Sequence, residues 1–240
     1  MTKEFIEMWE REDGELGNGW IDAYYENPKW WDQFKLVNGV PVTINPDRGL
    51  ICQNYCSGAR AAFYREFGPD FKSNFAASVV WCGVRPYEGT PLIHVNPEDD
   101  DFGIGAWYLS IISTMLIGFV GRSPDKLRII DTVPVDHISG LKRRIEIRST
   151  GDEFSVWISK TDIRDDAMMK VGRTYKIPAG LIGATKHGAA LDINQDYNRP
   201  ANVPILLPPY RIYKMEGNIH EENIERNPRG VGLDGKLGSI

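Results

Sequence analysis

Residues 144–158 read RIEIRSTGDEFSVWI, and this stretch decides the fold that the sequence predicts. Apolar and polar side chains alternate on both sides of the turn sequence Ser149–Asp152, which is typical of two antiparallel β-strands joined as a hairpin. The side chains predicted to face a core are Ile145, Ile147, Phe154, Val156 and Ile158. The side chains predicted to face outward are Arg144, Glu146, Arg148, Ser155 and Trp157. A slip of one residue would move the apolar set to the opposite face, so we expect a firm register.

Short runs rich in Val, Ile, Phe, Tyr and Trp recur along most of the chain, separated by segments rich in Pro, Gly, Asn and Asp. Further strands are predicted at 34–37, 50–53, 60–63, 76–81, 106–112, 116–120, 126–130, 188–193 and 210–215. Residues 2–9 fit either a helical turn or a first strand. Strands this short and this closely spaced are typical of sandwiches and barrels. We therefore predict an all-β protein, built as an antiparallel two-sheet β-sandwich.

Length, charge and cysteine content favour a globular protein with one core and argue against several kinds of binding partner. The 240 residues suffice for one substantial core, and 42% hydrophobic with 25% charged residues is ordinary for a soluble globular chain. The net charge of -5 argues against binding to nucleic acid or to anionic membranes. The short basic run 142–144 is interpreted as a solvated strand end. Three cysteines without a zinc-binding pattern and an N-terminus without a secretory signal favour synthesis in a reducing cytoplasm.

One apolar segment has the length of a membrane-spanning helix. Residues 102–121 contain no charged side chain, and about 20 residues are enough to cross a bilayer. Glycine, serine and threonine interrupt the segment, which favours two buried strands joined by a short turn. We therefore predict no membrane insertion.

A search for chemistry-bearing motifs finds none in a suitable context. Residues 230–235 match a dinucleotide-binding glycine pattern, but no apolar strand precedes them and no helix-length segment follows. Residues 192–203 begin like a calcium-binding EF-hand loop but lack its central glycine and its final glutamate. A glycosidase needs two acids aimed into one cleft, whereas Glu146 is flanked on its strand face by Arg144 and Arg148. We predict a protein that is not an enzyme, without catalytic, cofactor-binding or metal-binding residues.

Three tryptophans are the candidate contacts for a glycan or a protein partner. Trp30 and Trp31 follow a loop-like Asn-Pro sequence, and Trp157 is predicted to face outward from the hairpin. Exposed indole rings stack on sugars and also anchor protein interfaces. For Trp157 the protein partner is favoured, and one of the Trp30–Trp31 pair is equally well explained as a cover for the end of the core.

The end of the chain differs in character from the rest. Residues 216–240 are polar, show no strand periodicity and offer little to bury. We therefore divide the chain into a β-sandwich domain, residues 1–215, and an extended C-terminal arm, residues 216–240, which a neighbouring subunit is expected to order. The candidate assembly contacts on this arm are Ile219, Ile224, Arg226, Arg229 and Leu233.

Four segments together resemble a known family. They are WEREDGELGNGW at 9–20, LVNG at 36–39, the hairpin at 144–158 and KHG at 186–188. They resemble the concanavalin A-like jelly roll, in the variant found in minor tail proteins and other structural proteins of bacteriophages. The likeness runs from about Trp9 to Tyr213, although Trp9 stands where phenylalanine is commoner. In this family a histidine at the position of His187 precedes a late strand, where we expect it to close a turn by hydrogen bonding.

The resemblance implies a setting and a role. It implies a non-enzymatic virion structural protein of a bacteriophage, in the tail or its tip rather than the head, made in the host cytoplasm. Its implied partners are other virion proteins, copies of itself and a host-surface glycan, with no nucleic acid. The alternatives are a carbohydrate-binding module for host glycans and a head decoration or fibre protein. A glycan-degrading enzyme is the disfavoured third hypothesis, and the metal-binding acid, Asn and His set of legume-type lectins has no matching run here.

Overall fold

The computed structural model describes residues 3–12, 14–26, 28, 33–37, 40–45, 50–51, 60–81, 90–109, 113–121, 127–135, 143–159, 167–192 and 207–215. The strands within these ranges are β1 Glu4–Glu7, β2 Ile21–Asp22, β3 Gln33–Val37, β4 Val40–Asn45, β5 Leu50–Ile51, β6 Arg60–Glu66, β7 Phe75–Trp81, β8 Thr90–Val95, β9 Asp101–Leu109, β10 Thr114–Gly121, β11 Arg128–Pro134, β12 Arg143–Thr150, β13 Glu153–Ser159, β14 Met168–Lys176, β15 Lys186–Asp192 and β16 Leu207–Lys214. A four-residue helix, α1 Ala23–Glu26, and a 3-10 turn at Pro69–Phe71 complete the described elements.

The strands form two large antiparallel sheets. Within the described residues, one sheet has the order β1-β16-β7-β12-β13-β14 and the other β11-β10-β9-β8-β15-β6-β2, with a small third sheet of β3, β4 and β5. The predicted antiparallel two-sheet β-sandwich is therefore confirmed. Strands β9 and β10 account for most of the uncharged segment 102–121, and within the described ranges no helix is long and apolar enough to cross a membrane.

The hairpin of β12 and β13 has the predicted register. Ile145 lies opposite Ile158 and Ile147 opposite Val156, and all four side chains are fully buried. Gly151 makes the turn with a φ of 62°, a conformation that glycine adopts without steric cost. The alternation of apolar and polar residues therefore predicted the strand pairing and the buried face of this hairpin correctly.

The core lies between the two sheets, and a second apolar cluster covers the other face of the seven-stranded sheet. The main core holds aromatic side chains from both sheets, among them Phe63, Phe75 and Phe154. The second cluster contains Trp107 and the ring pair of Tyr64 and Phe102, whose centroids are 5.9 Å apart. The inner strands of the seven-stranded sheet thus have buried side chains on both faces, whereas the terminal strand β11 is largely exposed or half-buried.

The outer face of β12 is not solvated, contrary to the sequence-based prediction. Alternation places Arg144, Glu146 and Arg148 on that face as predicted, but Arg144 is only 5% exposed and Glu146 only 1%. Arg148 Nε donates to Glu146 Oε1 at 2.7 Å, and Tyr213 Oη donates to the same carboxylate at 3.2 Å. Lys142 of the predicted solvated strand end lies outside the described residues, but the prediction is wrong for Arg144 and for Arg143, which is buried 5.3 Å from the Tyr108 ring centroid. Periodicity alone distinguishes the two faces of a strand but does not tell which polar face is covered.

Candidate functional site

A cleft of about 490 Å³ opens between β11 and β14, the terminal strands of the two large sheets in the described structure. The described residues that line it are Phe119, Arg128, Ile130, Arg173, Thr174, Tyr175, Lys176, Ile177 and Pro178. The cleft is open to solvent, and its lining combines apolar side chains with cationic and hydroxyl groups.

An irregularity in β14 shapes one wall of the cleft. The pairing of β13 with β14 shifts register between Ser155 and Val156, and Gly172 of β14 has a φ of 69°. A Cβ atom at Gly172 would lie 2.3 Å from Tyr175 Oη and 3.0 Å from Val133 Cγ2. A larger residue here would have to displace the Tyr175 hydroxyl and crowd the Val133 side chain, and the positive φ itself favours glycine. The bulge therefore determines how the following residues of β14 are presented to the cleft.

Tyr175 anchors the floor of the cleft. Its ring is 5% exposed and packs on Phe154 with centroids 5.3 Å apart. Its hydroxyl donates to Asp131 Oδ2 at 2.8 Å. Burial, followed by the hydrogen bond and charge of Asp131, raises the pKa of Tyr175 to about 12. The phenol therefore remains protonated and holds β11 and β14 together.

Three cationic side chains form the rim among the described lining residues. Arg128 lies over the Phe119 ring at 4.5 Å and forms an ion pair with Asp101 at 2.5 Å. Lys176 Nζ lies 3.1 Å from carboxylate oxygens of Asp152 and of Glu153.

The third rim cation is less closely paired. Arg173 has a 74% exposed side chain, and its Nε lies 4.0 Å from Asp131 Oδ2. The rim therefore offers hydrogen-bond donors to a ligand, and Arg173 is the donor with the most accessible charge.

The described lining consists of apolar, cationic and hydroxyl side chains. Among the described lining residues there is no Asp, Glu, His, Ser or Cys, and the side chains with polar groups are Arg128, Arg173, Thr174, Tyr175 and Lys176. In the part of the chain that the structure describes, no group of three or more His, Cys, Asp or Glu side chains could hold a metal ion.

Trp157, a predicted contact residue, lies apart from this cleft lining. Its side chain is half-buried, its indole N–H donates to Ser155 Oγ at 2.9 Å, and the Arg148 guanidinium covers the ring at 3.9 Å. One ring face is thus already occupied. Trp30 and Trp31 lie outside the described residues, as do the arm 216–240 and its candidate contacts Ile219, Ile224, Arg226, Arg229 and Leu233.

The structure joins two histidines that appeared unrelated in the sequence. His94 and His187 are fully buried, with ring centroids 5.5 Å apart. The backbone N–H of His94 donates to His187 Nδ1 at 3.1 Å. Since Nδ1 of His187 is an acceptor, its Nε2 carries the proton and donates to the Phe71 carbonyl at 2.8 Å. His94 donates from Nδ1 to the Ala184 carbonyl at 3.1 Å, and its Nε2 accepts from Ser149 Oγ at 2.7 Å, which links the two sheets.

Both rings are satisfied in the neutral state. Burial lowers the pKa of His94 to about 4, and burial together with the nearby His94 lowers the pKa of His187 well below its ordinary value. His187 does form hydrogen bonds, but it lies within β15 rather than before it, and its partners are the backbone of His94 in β8 and of Phe71 in the 3-10 turn instead of a local turn. The pairing with His94 could not be read from the sequence, because 93 residues separate the two.

A buried carboxylate that sequence reasoning missed organises the glycine-rich opening segment. Glu7 accepts hydrogen bonds from the Trp9 N–H at 2.7 Å, the Asn18 amide at 3.0 Å and the Trp20 indole at 2.9 Å, and Arg11 lies 2.8 Å away. Burial raises the pKa of Glu7, but the hydrogen bonds of these donors outweigh burial and lower the pKa overall. The two tryptophans that bound the segment are therefore held by one ionised side chain.

Comparison with solved structures supports the sandwich fold. The chain is similar to the exoplasmic/lumenal domain of VIP36 in its Ca²⁺/Man2-bound form, with a TM-score of 0.51, 11% identity, and 93% of this chain and 94% of that chain covered. The CBM2 module of the evolved Dit of Lactobacillus casei BL23 phage J-1 gives a TM-score of 0.45, 10% identity and coverage of 89% and 94%. The carbohydrate-binding module CBM66 from Bacillus subtilis gives a TM-score of 0.42 and 9% identity, with 82% of this chain and 92% of that chain covered.

The likeness to the VIP36 domain agrees with the antiparallel two-sheet β-sandwich of this chain. No family model matches the chain, and no curated protein matches it in sequence.

Proposed function

We propose that this chain is a carbohydrate-binding module of a bacteriophage particle, that it binds without cleaving, and that the cleft between β11 and β14 holds the sugar. The observation that carries the proposal is the cleft itself, with an apolar floor and a donor-rich rim. A pocket of this composition is the usual place for a small ligand.

The chemistry of the lining fits a saccharide. A sugar ring has one apolar face, which Ile130 and Pro178 can contact, and hydroxyl oxygens that accept hydrogen bonds. Arg128, Arg173 and Lys176 provide N–H donors at the rim, and Thr174 adds a hydroxyl. The absence of an acid pair from the described lining supports binding rather than hydrolysis.

The virion setting rests on the sequence resemblance. The glycine-rich opening segment and the KHG segment carry that resemblance, and both have structural reasons in this fold: the Glu7 hydrogen bonds and the buried His187. Within this proposal the protein belongs to the tail, where it contributes to assembly and meets the host surface.

The test is an array of bacterial surface polysaccharides probed with the full chain and two variants. Thr174→Trp fills the cleft from the exposed face of β14, whereas Ile6→Trp places the same bulk on the opposite edge strand β1, where Ile6 is 38% exposed. We expect binding by the unmodified chain and by Ile6→Trp, loss of binding in Thr174→Trp, and no release of sugar. Absence of glycan binding, or unchanged binding in Thr174→Trp, would refute the proposal.

The particle assignment needs a separate measurement. Mass spectrometry of purified phage particles, followed by immunogold labelling, should place the chain in the tail. Particles that lack it would contradict the virion setting without affecting the glycan-binding result.

A further inference from the structure

We infer that the ligand of the cleft is a saccharide with one localised negative charge, a carboxylate or a phosphate, and that Arg173 binds this charged group. The inference rests on the proposed glycan-binding function and narrows its ligand class.

Arg173 is the rim cation whose charge is available. Its side chain is 74% exposed, and its nearest carboxylate contact in the described structure is the 4.0 Å approach to Asp131. Asp131 is engaged elsewhere, since its Oδ1 accepts the Thr132 N–H at 2.8 Å and its Oδ2 accepts the Tyr175 hydroxyl at 2.8 Å. A guanidinium in this state can form a bidentate pair with an incoming carboxylate or phosphate without first losing a tight partner.

The position of Arg173 is determined by the cleft wall. It directly follows the Gly172 bulge, its backbone N–H approaches Tyr175 Oη at 3.4 Å, and its guanidinium lies 5.5 Å from the Tyr175 ring centroid. The charged group is therefore placed beside the apolar floor. A sugar on that floor can bring a substituent within its reach.

The other rim charges limit the ligand to a single negative charge. Arg128 is paired with Asp101, and Lys176 lies between Asp152 and Glu153. With Asp131, four carboxylates thus surround three rim cations in the described structure, so a dense polyanion would meet repulsion on both sides of Arg173. A glycan that is neutral except for one carboxylate or phosphate avoids this repulsion.

The experiment compares matched glycans on the full chain. Each neutral oligosaccharide is paired with the same skeleton carrying one uronic acid, or one phosphodiester, and the ratio of the two Kd values is measured by titration. Because the charge pair is partly exposed, we expect the acidic member to bind roughly fivefold tighter at low salt. This preference should disappear near 1 M salt, where the screening length is about 3 Å.

Two variants connect the preference to Arg173. Arg173→Gln should bring the ratio of Kd values to about one, because only the acidic glycan of each pair loses a charge partner, whereas any loss of hydrogen bonds to the sugar affects both glycans alike. Lys3→Gln removes an exposed cation that pairs with Asp70 next to the distant edge strand β1, and it should leave the ratio unchanged.

Each outcome decides between the two proposals. Equal binding of neutral and acidic glycans would overturn this inference and leave the glycan-binding proposal intact, whereas binding of neither would overturn both. A preference that survives in Arg173→Gln, or tighter binding of a polyanion such as heparin than of the singly charged glycan, would also refute the inference.

Discussion

The buried pair His94 and His187 should make the protein lose stability between pH 7 and pH 5. Both imidazoles are neutral in the folded state. A second proton on His187 would have to sit on Nδ1, which already accepts a hydrogen bond from the backbone N–H of His94. Among the described contacts, the titratable group against each ring is the other histidine; the Ser149 hydroxyl contacts His94, and Phe75 packs on both rings. No carboxylate among these contacts compensates an imidazolium, so the unfolded chain binds protons more readily than the folded chain does.

The magnitude follows from the lowered pKa values. A folded pKa below the ordinary value means that the histidine contribution is fully present above pH 6.5 and is lost as pH falls toward the folded pKa. For His94, a shift from 6.5 to about 4 corresponds to roughly 2 kcal/mol lost at pH 5 and roughly 3 kcal/mol below pH 4. His187 is shifted in the same direction and adds to this loss.

Urea unfolding at several pH values between 7.5 and 5 measures the effect. The pKa of Glu7 is lowered, so its contribution is lost below about pH 4.5, and measurements above pH 5 separate it from the histidines. His94→Asn is the informative variant, because asparagine tolerates the φ of 51° at this position. It should reduce the slope of the unfolding free energy against pH by up to about 1.4 kcal/mol per unit. A urea midpoint that stays constant from pH 7.5 to 5, or an equal slope in His94→Asn, would refute the reasoning.

Three further predictions test other parts of the structure. Gly188→Ala should destabilise the fold by about 3 kcal/mol, because its Cβ would lie 1.9 Å from the Phe63 carbonyl oxygen, whereas Gly151→Ala has open space and should cost about 1 kcal/mol for its positive φ; equal urea midpoints for the two variants would contradict this. Glu7→Gln should lower the unfolding free energy by about 2 kcal/mol, since it removes the charge that several donors share, and a quenched or shifted tryptophan emission should accompany the loss. Deletion of residues 216–240 should leave the urea midpoint unchanged, because this polar segment has little apolar surface to bury, while incorporation into particles should be lost; a deletion mutant that assembles normally would argue against the arm.

The parts of the fold that sequence predicted best are those determined by neighbouring residues. The β12–β13 hairpin followed from alternation over fifteen residues, and the paired register agrees with it. Strand β14 was not predicted, because Gly172 and its bulge interrupt the alternation of MMKVGRTYK. Strand β8 was also missed, since Pro91 makes its short apolar run resemble a turn.

The candidate site could not be predicted, because it is assembled from distant segments. Phe119, Arg128 and Arg173 come from three strands, and Arg173 approaches the others only because β11 and β14 end their respective sheets. The same reason explains the missed pairing of His94 with His187. For Glu7, the nearby tryptophans and Asn18 were a usable signal, since a lone acid in an aromatic, glycine-rich segment needs donors if it is buried.

The pairing of the first strand with the last has a consequence for protein architecture. Strand β1 lies antiparallel to β16, and the Lys214 N–H donates to the Lys3 carbonyl at 2.9 Å. The chain therefore enters and leaves the described sandwich at neighbouring positions. Closely spaced ends of this kind allow a domain to be inserted into a surface loop of another polypeptide. A lineage could thus acquire or discard this unit in a single genetic step, with little adjustment of the recipient's own fold.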